Sequence, residues 1–388
     1  MRILQIGDYP ENENVIKGGI QSSLYGLVNE LVKKNHYLSV ISLPNRNCLN
    51  DCTVHRDNLN IYYFSNKRKY NVLGVYRFFH ITRRIKASKP DICHLHGTDL
   101  MVFLIYIYCR LKGIPSIVTV HGLAYIEKRN AYRKRKSVKT FLMYVSQSFF
   151  EFMILNILDK TIVDTRYVAT SIISLKKKGA LFHLPEIYII PQGINEQFFQ
   201  LPDEAKPLKI LSVGSIGERK GHLFLIKAIE KIISDFPGIK LNIIGRISNP
   251  QYYEMLNDYV SNNNLKENIK IHKSIAFDDL KPYYITSNLF ALHSEEESQG
   301  IVFCEAMACG KPIVATNSGG IPDVVSDGKG GFLSSFADTF KFSENIKKIL
   351  VNEELRKQFS LYNKTHALQY SWPVVTEQII DVYKKMIA

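Results

Sequence analysis

The chain has 388 residues, 46% of them apolar, and its 50 basic side chains exceed its 36 acidic ones to give a formal charge of +14. That length exceeds one ordinary hydrophobic core and predicts two domains, while the apolar share excludes a disordered chain. The basic surplus favours anionic partners, whether nucleic acid, anionic lipid or phosphorylated substrates.

The opening run Met1-Arg-Ile-Leu-Gln-Ile-Gly-Asp8 meets charge after a short apolar stretch, so it reads as a first strand and not a signal peptide. Further strands are predicted over 39–42, 61–64, 92–95 and 117–120, with helices over 19–33, 76–86 and 100–111. The last of these holds the longest apolar run, ten residues from Leu100 to Cys109, too short to span a bilayer. The second half repeats the rhythm. Strands over 210–213, 241–244, 269–271, 289–292 and 313–315 alternate with helices over 223–235, 250–262, 278–286 and 301–309. Such alternation predicts parallel sheets covered on both faces: an α/β chain of two tandem doubly wound, Rossmann-like domains. The seam is placed in 191–207, which is turn-rich and carries three prolines. Six cysteines form no C-x-x-C pair, the nearest spacings being Cys48/Cys52 and Cys304/Cys309. That pattern predicts reduced thiols and a cytoplasmic protein.

Several stretches carry chemistry. Lys17-Gly18-Gly19 sets two glycines before a helix, as a flexible helix start or as a place where backbone approaches a ligand. His94 and His96 alternate along one strand and share a face, but no third metal ligand is visible. His121-Gly122 ends the strand 117–120, at the carboxyl edge where ligands of α/β sheets lie; a structural hydrogen-bonding histidine is the plainer reading. Lys128, Arg129, Arg133, Lys134, Arg135, Lys136 and Lys139 crowd ahead of an aromatic-rich run over 140–155. They form either a solvated loop leading into a core helix or an attachment to an anionic membrane, where each basic side chain is worth about 1 kcal/mol. Val213-Gly-Ser-Ile-Gly-Glu-Arg-Lys-Gly-His222 follows a strand and opens a helix, though it is neither a Walker loop nor a Rossmann fingerprint. Its glycines and lysine suit a phosphate, and a plain tight turn would look the same.

The stretch Glu297-Ser-Gln-Gly-Ile-Val-Phe-Cys-Glu305, continued by Ala-Met-Ala-Cys-Gly-Lys-Pro-Ile-Val-Ala-Thr316, is the most informative. A helix opening near Gly300 would offer free amides and the positive end of its dipole to an anion. Glu297 then stands before its mouth, and Glu305 about 7 Å along its axis. A phosphate between two hydroxyl acceptors is the outline of a nucleotide sugar; glutamates that merely complement the dipole are the alternative.

This stretch resembles the E-x7-E element of retaining glycosyltransferases of family 4, whose pattern runs EGFGxxxxEAMAxGxPVVAT, with Gln299 in place of the family's phenylalanine. The 213–222 loop is similar to the family's GRLxxxKG loop, with Lys220 at its lysine and Ser215 at its arginine. Lys17-Gly18-Gly19 looks like the family's N-terminal glycine-rich loop, and Pro191-Gln-Gly-Ile-Asn195 like its PNGVD hinge. Asp164, Thr165 and Arg166 stand where the family commonly has serine, at the start of a helix beside the cleft.

The resemblance implies a glycosyltransferase-B architecture, two doubly wound domains facing a cleft. Residues 1–190, completed by a returning helix 372–388, would bind the acceptor, and residues 191–371 the donor. It implies transfer of a sugar from a nucleoside diphosphate to an acceptor hydroxyl with retention, with Glu297, His121 and Lys220 as catalytic residues. Gly214, Ser215, Arg219, Lys220, Gln299, Gly300, Ile301, Val302 and Glu305 would bind the donor, Glu305 at the ribose and Lys220 with the helix amides at the diphosphate. Gly18 and Gly19 would face the donor phosphates and acceptor. With the leaving charge so handled, and no D-x-D in the chain, no metal or other cofactor is expected. The acceptor is expected to be a lipid-linked or envelope saccharide of polysaccharide biosynthesis. Residues 128–152 would make a peripheral contact with the inner face of the cell membrane, and no nucleic acid is expected as partner. A sugar-nucleotide epimerase of the same architecture and a basic nucleic-acid-binding protein are the competing readings.

Overall fold

The computed structural model describes residues 1–12, 18–43, 51–64 and 75–388, without the side chains of 75, 76, 134 and 135. Lys17 and Cys48 lie outside the described residues, as do the side chains of Lys134 and Arg135. Two compact units divide the chain, Met1–Gly193 with Trp372–Ala388, and Ile194–Ser371. The division falls inside the turn-rich segment 191–207.

The first unit is built on β1 (Arg2–Gly7), β2 (Tyr37–Ser42), β3 (Cys52–Arg56), β4 (Leu59–Tyr63), β5 (Ile92–His96), β6 (Ser116–Val120), β7 (Lys160–Val163) and β8 (Glu186–Ile189). They form one sheet in the order β3-β4-β2-β1-β5-β6-β7-β8. Every pairing is parallel except that of β3 with β4. Alternate residues of a strand point to opposite faces. Leu4, Ile6, Leu95 and Val118 therefore enter one core, and Ile3, Ile92 and Ile117 another. Helices α1 (Gly19–Lys33), α2 (Val75–Ser88), α3 (Leu100–Leu111), α4 (Ala124–Arg135), α5 (Val138–Ile157) and α6 (Arg166–Lys177) connect the strands. Asp99 caps α3 by accepting from the Val102 amide at 3.0 Å, and Ser137 with Thr140 forms a capping box for α5.

The second unit holds β9 (Lys209–Val213), β10 (Lys240–Ile244), β11 (Ile269–His272), β12 (Leu289–Leu292), β13 (Ile313–Thr316) and β14 (Gly331–Ser334). All run parallel, in the order β11-β10-β9-β12-β13-β14. Strands β12 and β13 are buried along their whole length, as their unbroken apolar sequence requires of strands covered on both faces. The unit's helices are α7 (His222–Glu230), α8 (Pro250–Asn262), α9 (Phe277–Thr286), α10 (Ile301–Ala308), α11 (Ile321–Val324), α12 (Thr339–Val351) and α13 (Glu353–Ala367). Helix α7 stops five residues short of the expected 235, giving way to turns ahead of Phe236-Pro237-Gly238.

Helix α14 (Trp372–Ile387) returns to the first unit and packs on α1. Its buried Trp372, Val375, Thr376, Ile379, Ile380 and Tyr383 recur at three- and four-residue spacing, one apolar stripe along the helix. The Trp372 indole is clamped by two glycines: a Cβ on Gly26 would lie 2.1 Å from the ring, and one on Gly193 would lie 2.5 Å away.

Candidate active site

In a doubly wound sheet, ligands bind beyond the carboxyl ends of the strands where the strand order reverses. In the second unit that point lies between β9 and β12. Residues 214–221 leave β9, make a short 3-10 turn over Glu218–Lys220 and enter α7. Two glycines allow this path. Gly221 has φ +60° and sits so close to the end of β12 that a Cβ would lie 2.0 Å from the His293 carbonyl oxygen. A Cβ on Gly245 would lie 1.8 Å from the Gly214 carbonyl oxygen, so the loops after β9 and β10 are in backbone contact.

This packing carries Lys220 to Glu297. The buried Lys220 Nζ donates to Glu297 Oε1, Ser294 Oγ donates to the same oxygen at 2.7 Å, and Arg219 Nη1 donates to Oε2 at 3.3 Å. Arg219 also donates to the Glu296 carbonyl at 2.7 Å. Behind the carboxylate, the Gly320 amide donates to the Glu297 carbonyl at 2.7 Å, and Gly319, at φ +59°, leaves no room for a Cβ against the same oxygen. Burial alone would raise the Glu297 carboxyl, but the Lys220 ammonium, Arg219 and the hydrogen bonds outweigh it and hold the group below its ordinary value. Burial lowers Lys220, because the attraction of one carboxylate does not offset desolvation together with the repulsion of Arg219. Two cations thus share one carboxylate, Lys220 buried with it and Arg219 on the exposed side.

Helix α10 opens beside this cluster with Gly300 at φ +77°. Glu305 lies in its second turn, half-buried, with the Tyr284 hydroxyl donating to Oε2 at 3.1 Å. Burial pushes its carboxyl up to about 7. Ile301 and Val302 are half-buried at the helix mouth, as are Gly214 and Ser215 at the head of the β9 loop. Gln299 is 1% exposed and its amide donates to Cys304 Sγ at 3.5 Å, so this side chain is turned into the protein.

The first unit carries the other predicted residues. Gly18 caps α1 at φ +154° with open space where a Cβ would stand, so backbone conformation and not packing calls for glycine there; Gly18 and Gly19 are both exposed. His121 follows β6, and its side chain is only 6% exposed. Its Nδ1 lies 3.3 Å from Asp164 Oδ2 and its Nε2 3.1 Å from His96 Nδ1, so both ring nitrogens are turned to protein partners. His94 and His96 do share a face, with ring centroids 4.2 Å apart. Among the described residues no three His, Cys, Asp or Glu side chains gather as a metal site.

Ser294, Tyr284, Gly319 and Asp164 were not among the predicted site residues. Ser294 lies three residues before Glu297 and could have been found from that spacing. Asp164 was marked in the sequence only by its position after β7, and Tyr284 is reached only through the tertiary fold.

Helices α4 and α5 form the basic and aromatic region. Val138, Phe141, Leu142, Met143, Val145 and Phe149 of α5 are exposed, whereas Ile154 and Leu155 lie in the core. By length and apolarity α5 could cross a bilayer, unlike the run over 100–109. Its Glu151 is fully buried, however, and accepts from the Ala124 and Tyr125 amides at 2.9 and 2.8 Å, capping α4. The Arg129 guanidinium stands 5.1 Å over the Tyr125 ring.

The family profile of glycosyl transferases group 1 matches residues 193–366, and that of glycosyltransferase family 4 matches residues 17–198. An uncharacterized glycosyltransferase of Methanocaldococcus jannaschii is 28% identical over 302 residues, 78% of this chain and 77% of its own. The next two curated relatives are matched over only 48% and 42% of their own length. Among solved structures, the sucrose-phosphate synthase of Thermosynechococcus elongatus superposes with a TM-score of 0.80 at 18% identity, over 100% of this chain and 99% of that one. Anabaena HepE in complex with UDP-glucose does so with 0.74 at 16% identity, over 99% of this chain and 100% of that one. The structural matches give both Rossmann-like units the glycosyltransferase-B fold. The two sequence profiles together run from residue 17 to 366, across both units, and the chain belongs to the group 1, family 4 glycosyltransferases.

Proposed function

We propose that this enzyme transfers a sugar from a nucleoside diphosphate to an acceptor hydroxyl with retention at the anomeric carbon. The Glu297, Lys220, Arg219 and Ser294 cluster carries the reading. Lys220 pairs with Glu297 out of water while Arg219 reaches the same carboxylate from an exposed position, which sets two cations beside the opening amides of α10. A diphosphate suits two cations and the opening amides of a helix, and the cluster then stabilises it as a leaving group. Lys220, Arg219 and the amides of Gly300, Ile301 and Val302 take the phosphates, and Gly214 and Ser215 border them. Glu305 accepts from the ribose, and Glu297 and His121 orient the transferred sugar. The side chain of Gln299 supports that geometry from within. Because lysine, arginine and the helix dipole neutralise the leaving charge, the reaction proceeds without a divalent ion, and activity persists in a chelator.

The second unit takes the donor and the first the acceptor, with Gly18 and Gly19 at the acceptor side. The basic α4 and the exposed apolar face of α5 suit a lipid-linked saccharide at the inner face of an anionic membrane, in polysaccharide biosynthesis. HepE was solved with UDP-glucose, which makes UDP-sugars the first probes. A screen of UDP-, GDP- and ADP-sugars should raise the melting temperature with at least one of them, by about 2.7 kcal/mol of stability at a hundredfold excess over Kd. If none shifts the transition, the donor assignment fails. Release of free sugar at a rate indifferent to acceptor would favour the epimerase instead.

A further inference from the structure

Through the middle of the first unit runs a buried polar chain drawn from widely separated parts of the sequence. Gln192 Nε2 donates to Asp164 Oδ2 at 2.5 Å, and Asp164 meets His121 Nδ1. His121 Nε2 meets His96 Nδ1, and the two rings stack with centroids 5.3 Å apart and planes 9° from parallel. His96 Nε2 lies 2.9 Å from Gln5 Oε1, and Gln5 Nε2 donates to the Tyr383 hydroxyl at 2.9 Å. That hydroxyl lies 2.5 Å from His94 Nδ1, and His94 Nε2 lies 2.6 Å from Thr119 Oγ1. Strands β1, β5 and β6, the segments after β6, β7 and β8, and helix α14 each contribute a member.

Donor and acceptor roles along this chain are not free. Burial lowers His94 to about 3 and holds His96 well below its ordinary value, so each is a neutral imidazole with one N–H. Gln5 Oε1 only accepts, so the proton of His96 sits on Nε2 and its Nδ1 is left as an acceptor. The proton between the two stacked rings therefore belongs to His121 Nε2. The Tyr383 hydroxyl accepts from Gln5 and donates to His94, which joins the chain to α14. On the other side of the ring stands the Asp164 carboxylate, so His121 meets an acceptor at each nitrogen and is fixed against rotation. A buried polar network of this kind has no stability advantage over well-packed apolar side chains.

We propose that Asp164, His96, Gln5 and Tyr383 are positioning residues for the transfer reaction, fixing the orientation of His121 and tying it to the seating of α14. The proposal rests on the transferase reading, in which His121 orients the transferred sugar.

The test uses the full chain and four variants: Tyr383→Phe, Asp164→Asn, Gln5→Leu and His121→Ala. Steady-state kinetics with the nucleotide sugar found by thermal shift gives kcat and KM, and side-chain 15N–1H spectra report the histidine tautomers. The wild type should show His121 protonated at Nε2. Tyr383→Phe and Gln5→Leu should disturb that resonance and lower kcat by roughly tenfold to a hundredfold with KM nearly unchanged, the size of loss that misplacing a group by ~1 Å produces. Asp164→Asn, close to isosteric, should do the same and serves if the core variants fail to fold. A Tyr383→Phe chain that melts lower but keeps its kcat and its His121 resonance would overturn the proposal, leaving the chain as core filling. Full kcat in His121→Ala would instead sink the role given to His121 in the transferase reading. The spectra would still decide the chain: an unchanged His121 Nε2–H resonance in Tyr383→Phe and Gln5→Leu refutes it whatever the activity.

Discussion

Glu305 carries a carboxyl that burial pushes up to about 7, restrained by the Tyr284 hydroxyl. A raised value in the folded chain means that it holds a proton which the unfolded chain has released. Stability from this group is present below the ordinary carboxyl value of 4.5 and is lost as pH rises towards about 7. Ionised Glu305 is the form that accepts from a ribose hydroxyl, so nucleotide affinity should rise over the same window. Calorimetric titration on either side of about 7 should show tighter binding on the alkaline side, and Glu305→Gln should flatten both dependences. If the slope survives in that variant, the titrating group lies elsewhere. Lys220 gives a second residue-scale prediction. Removing one partner of a buried ion pair costs about 3–5 kcal/mol when the other is stranded. Arg219 and Ser294 still answer Glu297 in Lys220→Ala, so the stability loss should fall below that range. Loss of a preorganised group on the leaving charge should lower kcat on the order of 10²–10³-fold. A chain that loses stability in full while kcat is spared would make Lys220 structural. Glu297, Glu305 and Lys220 could be picked out in the sequence because they sit at fixed offsets from a helix start and a glycine turn. Tyr284 could not, because only folding brings it to Glu305.

At the scale of elements, the strands outside the sequence pattern are β3, β7, β8 and β14. The four-residue β7, Lys-Thr-Ile-Val, is too short to display a period, and β3 and β8 are largely exposed, with few buried positions to register. Strands β12 and β13, equally short, are legible because burial on both faces leaves a run of apolar side chains. Helix α5 shows a conflict that sequence alone left open. Its later turns enter the core while its earlier ones expose Phe141, Leu142, Val145 and Phe149 beside the basic α4. Vesicles of phosphatidylcholine mixed with phosphatidylglycerol should therefore retain the protein, increasingly weakly as salt is added, and neutral vesicles should not. Phe141→Ser with Phe149→Ser should abolish retention without moving the melting temperature. Retention unchanged in that double variant would place the contact on another surface. Gly26 supplies the stability test for α1 against α14. Alanine is the better helix former by about 1 kcal/mol, but its Cβ would stand 2.1 Å from the Trp372 indole. Overpacking of this kind typically costs about 1–3 kcal/mol, so the clash should win and Gly26→Ala should unfold at lower denaturant. A neutral or stabilising result would mean that the indole is free to move away.

For the whole molecule, the decisive feature is that α14 belongs to the first unit although the chain reaches it only after completing the second. Periodicity marks a helix at the C-terminus, but nothing in its pattern names the surface it covers; the family resemblance supplied that. Trp372, Val375, Ile379, Ile380 and Tyr383 bury against the first unit's core, each large apolar side chain contributing about 1.5–3 kcal/mol. That sum rivals the whole stability of an ordinary domain, about 5–15 kcal/mol. A chain ending at Ser371 should therefore lose the cooperative unfolding of its first unit. The second unit, Ile194–Ser371, should keep its own transition, because Lys220, Tyr284, Ser294, Glu297 and Glu305 all lie within it. Scanning calorimetry of the shortened chain should show one transition, and the nucleotide sugar that stabilises the full protein should still raise it. Loss of that stabilisation, with the transition intact, would mean that the donor site needs residues of the first unit. Loss of both transitions would mean that the second unit depends on the first for its fold. With either result, the 194–371 segment could no longer be treated as a donor module complete in itself.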